Sequence, residues 1–185
     1  MKLRRGFKSE ANKYAREFRA ELGLRSHDSL NPWHLAEHLA IPVNPLSELR
    51  DEIPDAVSHV MEYDQAAFSA VTLCEGYKRL IIHNDAHHPK RQANNIAHEL
   101  GHAILGHPPM PPLNDYGCRN FNRELEDEAD WLGATLLISE EAALHIAELR
   151  MTVCEASDRY GVSEKLVQWR LNATAAFRRV AKKRS

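Results

Sequence analysis

Hydrophobic positions in residues 8–22 recur at helical spacing, with Ala11, Tyr14, Ala15, Phe18 and Leu22 on one stripe, which predicts an amphipathic helix. Asn31 and Pro32 open a second helix over residues 33–39, since proline suits a first helical position. Residues 41–45, with Pro42 and Pro45, break the pattern. Three extended segments are expected next, residues 56–61, 67–73 and 79–82, on their β-branched content, with Glu75 and Gly76 as a hairpin turn between the last two. A helix over about residues 89–105 ends at Gly106, and the prolines within residues 108–112 forbid its continuation. In residues 123–138, Leu125, Ala129, Leu132 and Leu136 follow at spacings of four, three and four, another helix with a strong apolar stripe.

These elements describe a mostly helical α+β chain whose short sheet is packed by the helix of residues 89–105. Residues 1–140 are expected to form the core, and residues 141–185 a helical segment packed on it. Within that segment, residues 153–171 have helix-turn-helix features: Ser157 where two helices would cross, Gly161 at the turn, apolar Val162 and Val167, and Ser163 as a cap. Arg170 departs from them, standing where such motifs bury an apolar side chain, and the second helix carries few base-reading groups. Packing on the core or docking a substrate is therefore preferred to DNA binding.

Composition narrows the classes. With 185 residues, 43% of them hydrophobic, the chain can bury a sizeable core as one domain. A net charge of −2 supplies no global basic field for nucleic acid. The basic tail of Arg178, Arg179, Lys182, Lys183 and Arg184 is expected to be a solvated, frayed terminus. Three well-separated cysteines, Cys74, Cys118 and Cys154, argue against a disulfide framework and for a reducing, cytoplasmic setting. No signal peptide and no membrane span are expected.

Chemistry concentrates at His98, Glu99 and His102. Residues four apart share a helix face, so His98 and His102 can aim two imidazole nitrogens at one zinc ion. Glu99 lies beside that point, free to act as the base toward metal-activated water. A catalytic zinc takes three protein ligands, and the third is expected from another helix. Glu126 and Asp130, also four apart, suit it: Glu126 as ligand, Asp130 as the acceptor that orients a ligand histidine. Glu128 is the rival ligand, but it lies about 160–200° around the helix from Glu126, so the two cannot both face the metal. Cys118 is a weaker rival, since a carboxylate already completes the set. His87 and His88 are expected to be exposed. His107, five residues after His102, falls about 140° away on an ideal helix and makes a poor ligand. Tyr116, Arg119 and His107 are candidates for stabilising a developing oxyanion.

The stretches 98–107 and 126–138 resemble the ImmA/IrrE-family metallopeptidases. Residues 80–84 look like the strand leading to that family's active helix, Arg91 and Gln92 like its opening turn, and residues 160–163 and 169–171 like its C-terminal helical segment. The resemblance implies a zincin-like core and a zinc endopeptidase, with His98, His102 and Glu126 as ligands and Glu99 as catalytic base. It also implies a protein substrate, since characterised members cut helix-turn-helix transcriptional repressors. Ser139 departs from the pattern, in which proline commonly follows the Leu-Leu-Ile run. The competing reading is an antitoxin-like regulator that binds DNA or a protein and uses its metal for structure. Glu99 weighs against that alternative, because a structural site has no use for a base.

Overall fold

The computed structural model describes residues 2–108 and 122–184. Helix α1 (Phe7–Glu21) precedes α2 (Pro32–His38), which opens as expected with Pro32 in its first turn and the Asn31 side chain accepting from the Trp33 N–H. A short strand β1 (Val43–Pro45), a 3-10 turn and helix α3 (Pro54–Ser58) lead into a π-helical turn over His59–Tyr63. Strands β2 (Ala70–Glu75) and β3 (Lys78–His83) form a hairpin turned at Gly76, whose φ of 59° suits glycine. The sheet order is β1-β3-β2, with β1 parallel and β2 antiparallel to β3. The result is α+β and mostly helical.

Two expectations fail in this region. Residues 56–61 are helical, not extended: Val57 and Val60 sit three apart and turn the same helical face toward Leu46 and Ile82. Residues 41–45, read as a break, contain β1. Prolines are tolerated there because the strand lies at the sheet edge and the Pro42 carbonyl still accepts from the Ile81 N–H.

Helix α4 (Pro89–Ile104) and helix α5 (Arg123–Leu137) form the centre of the molecule. Their apolar faces meet α1, α2 and β3 in one core containing Phe7, Leu35, Ile81, Ile96, Leu100 and Leu132. The two helices touch backbone to backbone. A Cβ at Gly101 would stand 2.8 Å from the Ala129 carbonyl oxygen, and one at Gly133 would stand 2.9 Å from that of Ala97. Two glycines on opposite helices thus permit a separation that any side chain would prevent.

Helices α6 (Glu140–Glu148), α7 (Val153–Tyr160), α8 (Glu164–Ala173) and α9 (Ala176–Arg184) pack around a second core that takes in Ala97, Leu137 and Ile138. Ser139, standing where proline was expected, caps α6 through its hydroxyl at φ −62°, a backbone angle a proline ring also imposes. In α7 and α8, Ser157 is buried, Gly161 makes the left-handed turn and Ser163 caps α8. Arg170 is itself buried and donates to the Ile138 carbonyl, tying α8 to the end of α5. Arg19 does the same from α1, donating to the Leu136 carbonyl. The tail is not frayed. It forms α9, with Ala176 and Val180 buried and Arg179 paired with Glu140.

Candidate metal centre

His88 caps α4, Pro89 begins it, and the apolar residues Ala93, Ile96, Ala97 and Leu100 pin one face inward. That orientation leaves His98 and His102 on the face toward α5. The N-terminus of α5 is capped by Asn122, whose side-chain oxygen accepts from the Glu124 and Leu125 N–H groups. Carboxylates in that first turn are favoured by the helix dipole, and Glu126 projects from it toward α4.

One ligand atom each from His98, His102 and Glu126 lies within 4.8 Å of the others, so the group could hold a metal ion. His98 Nε2 and His102 Nε2 are 3.0 Å apart. Glu126 places Oε2 3.3 Å from His98 Nε2 and Oε1 3.6 Å from His102 Nε2. Donors about 2.0–2.1 Å from a tetrahedral ion stand roughly 3.3–3.4 Å from one another. The separations, taken to whichever Glu126 oxygen is nearer each imidazole, bracket that value, so the group is compatible with a small divalent cation.

The remaining ring nitrogens are engaged as a ligand set requires. His98 Nδ1 lies 2.8 Å from Asp130 Oδ1. His102 Nδ1 lies 2.9 Å from His107 Nδ1. The Glu99 carboxylate, one residue from the first ligand, accepts from the Thr72 hydroxyl of β2 at 2.6 Å. Glu128 is turned away from the three ligand atoms: its Oε1 meets Arg4 Nε at 3.0 Å and its Oε2 is 3.7 Å from His107 Nε2.

Electrostatics follow from these contacts. Burial disfavours a charged His98, but its hydrogen bonds to Asp130 and Glu126 outweigh that, pushing its pKa up to about 10. The neighbouring imidazoles of His102 and His98 hold Glu126 well below the usual carboxylate range. Burial pushes His107 below the usual imidazole value. Before a metal binds, the site is therefore an anionic carboxylate beside an imidazolium, and a cation would take the place of that proton.

The structure brings together His98, Glu99, His102, Glu126 and Asp130. It departs from expectation in the exposure of His87 and in the placement of His107, which is near His102 although it stays outside the ligand group as expected. His87 is buried, with Nε2 2.8 Å from the Gln65 carbonyl oxygen, whereas His88 is exposed as expected. His107 is also buried. The 140° offset that separated it from His102 assumes a continuing helix, but Gly106, at φ 65°, reverses the chain and folds His107 back under His102. Tyr116, Arg119 and Cys118 lie outside the described residues. Thr72 was not anticipated; alternation along β2 could have placed it on the α4 side only once the hairpin register was known.

Residues 36–172 match a family model described as the IrrE N-terminal-like domain, peptidase family M78. No curated protein matches the chain.

Proposed function

Because the chain belongs to the IrrE N-terminal-like domain family, a family of peptidases, we propose that it is a zinc-dependent endopeptidase with a zincin-like core. In this reading residues 1–140 carry the site, and residues 141–185 form a helical segment packed on it. The observation that supports it most is the convergence of two imidazoles and one carboxylate beside a second carboxylate that none of them needs. His98, His102 and Glu126 would hold the ion, and the neutral-plus-anionic N/O donor set suits zinc.

When bound, zinc supplies Lewis acidity toward the scissile carbonyl and acidifies the attacking water. Glu99 receives that water's proton and passes it to the departing amide nitrogen. Thr72 fixes the Glu99 carboxylate by donating to Oε2, leaving Oε1 for the proton. Asp130 holds His98 at the angle that points Nε2 toward the ion. Strand β2 contributes Thr72 and is an edge of the sheet, so an extended substrate segment could add to it as a further strand. Such binding reads backbone, and it suits a protein substrate.

The substrate class follows from the family resemblance: a helix-turn-helix repressor or a similar regulatory protein, cut in the cytoplasm. Among the described residues no helix is long and apolar enough to cross a membrane. DNA binding through α7 and α8 is not favoured, since Arg170 is spent inside the fold on the Ile138 carbonyl. Co-expression with the neighbouring gene's product tests the reading. Fragments should form with the wild type and not with Glu99→Gln, while both retain zinc. Cleavage by Glu99→Gln at the wild-type rate would overturn the mechanism.

A further inference from the structure

We propose that His107 is a positioning residue that sets the tautomer of His102, with the Arg4–Glu128 pair supplying a negative charge on its far side; this rests on the metal-site reading above. His102 directs Nε2 at His98 and Glu126, so as a ligand it must keep a lone pair on Nε2 and carry its hydrogen on Nδ1. The only described group at hydrogen-bond distance from that Nδ1 is His107 Nδ1, at 2.9 Å. Two facing nitrogens can bond only if one donates and the other accepts. His102 is committed to donating, so His107 accepts on Nδ1 and carries its own hydrogen on Nε2. That nitrogen points at Glu128 Oε2, 3.7 Å away. Glu128 is held from its other oxygen by Arg4 Nε at 3.0 Å.

The direction is set from the His102 end, where the 2.9 Å contact requires one donor and one acceptor. Glu128, held by Arg4, stands beyond hydrogen-bond distance of His107 Nε2 and favours a hydrogen there as a nearby negative charge. His107 is buried, so water does not substitute easily for its acceptor nitrogen. The arrangement parallels the contact of Asp130 with His98 but spans three residues, because the chain reversal at Gly106 places an imidazole where a carboxylate would otherwise be needed. It also gives the N-terminal segment a part in the site. Arg4 precedes α1, more than ninety residues before the first ligand, yet lies three side chains from the ion position.

The test measures zinc affinity by chelator competition, with melting temperature as a check on the fold. His107→Phe keeps a ring of similar size but removes the acceptor, and zinc should bind roughly 10- to 100-fold more weakly. His107→Asn keeps an oxygen at the Nδ1 position and should stay within about threefold of the wild type. Equal affinity in wild type and His107→Phe, or equal losses in both variants, overturns the proposal. Should His107→Phe fail to fold, 15N spectra of the zinc-loaded wild type decide. His102 should appear protonated on Nδ1 and His107 on Nε2, and the opposite tautomer at His107 overturns the assignment. A wild type that takes up no zinc would instead remove the metal-site reading itself, so the two failures are distinguishable.

Discussion

Gly133→Ala tests whether the distance between α4 and α5 is what assembles the site. At an unencumbered helical position this change should stabilise by about 1 kcal/mol, through alanine's better helix propensity. Here the new Cβ would meet the Ala97 carbonyl oxygen at 2.9 Å, and the Ala97 carbonyl carbon and the His98 nitrogen at 3.0 Å each. Ordinary contact begins near 3.4 Å, so the helices must part by about 0.5 Å. The obstructing atoms are backbone and cannot rotate away. Overpacking of this kind costs about 1–3 kcal/mol, which exceeds the helical gain and leaves a net loss centred near 1 kcal/mol. For a chain of this size that lowers the melting temperature by roughly 2–4 °C. The same movement carries the His98 backbone away from Glu126, and metal ligands tolerate only about 0.2 Å. Zinc affinity should therefore fall on the order of tenfold. Thermal unfolding of metal-free protein and chelator competition measure the two effects. A melting temperature raised by 2–4 °C, with zinc affinity unchanged, would refute the argument, because that is how a glycine free of close contacts behaves.

Other consequences follow from the same geometry. His98→Ala, His102→Ala and Glu126→Ala should each abolish or greatly weaken binding of about one zinc per chain, and full occupancy in Glu126→Ala with loss in Glu128→Ala would move the third ligand. Asp130→Asn should lower zinc affinity roughly 10- to 100-fold with the fold intact; unchanged affinity and turnover would separate Asp130 from the site. Thr72→Val removes the hydroxyl that holds Glu99 and should lower kcat about 10- to 100-fold, the worth of one hydrogen bond to a charged group, with KM unchanged and recovery in Thr72→Ser; full activity in Thr72→Val would release Glu99 from this restraint. Because His98 in the metal-free protein stays protonated up to about pH 10, zinc uptake at pH 8 should release a proton that an ordinary histidine would already have lost. Calorimetry in buffers of different ionisation enthalpy detects that proton, and a heat independent of buffer would count against the charged His98.

The chain's own pattern carried the candidate metal group. A helix repeats every 3.6 residues, so a four-residue spacing commits His98 and His102, and likewise Glu126 and Asp130, to shared faces before any fold is known. The same local rules placed α4, α5, the β2–β3 hairpin and the caps at Asn31, Ser163 and Gly106, since each depends on residues within a turn or two. They misread residues 56–61, where only packing against Leu46 and Ile82 shows that Val57 and Val60 belong to a helix. They also misread the tail, whose basic character concealed Val180 as a contact for the helical core. Tertiary structure alone decided everything that joins distant positions: the close crossing at Gly101 and Gly133, Thr72 on Glu99, His107 beneath His102, and Arg19 and Arg170 buried on the carbonyls that end α5. Helical periodicity says which face a side chain occupies. It does not say what another element will bring against that face, because the separation, chain reversals and desolvation that determine this arise only when the elements pack.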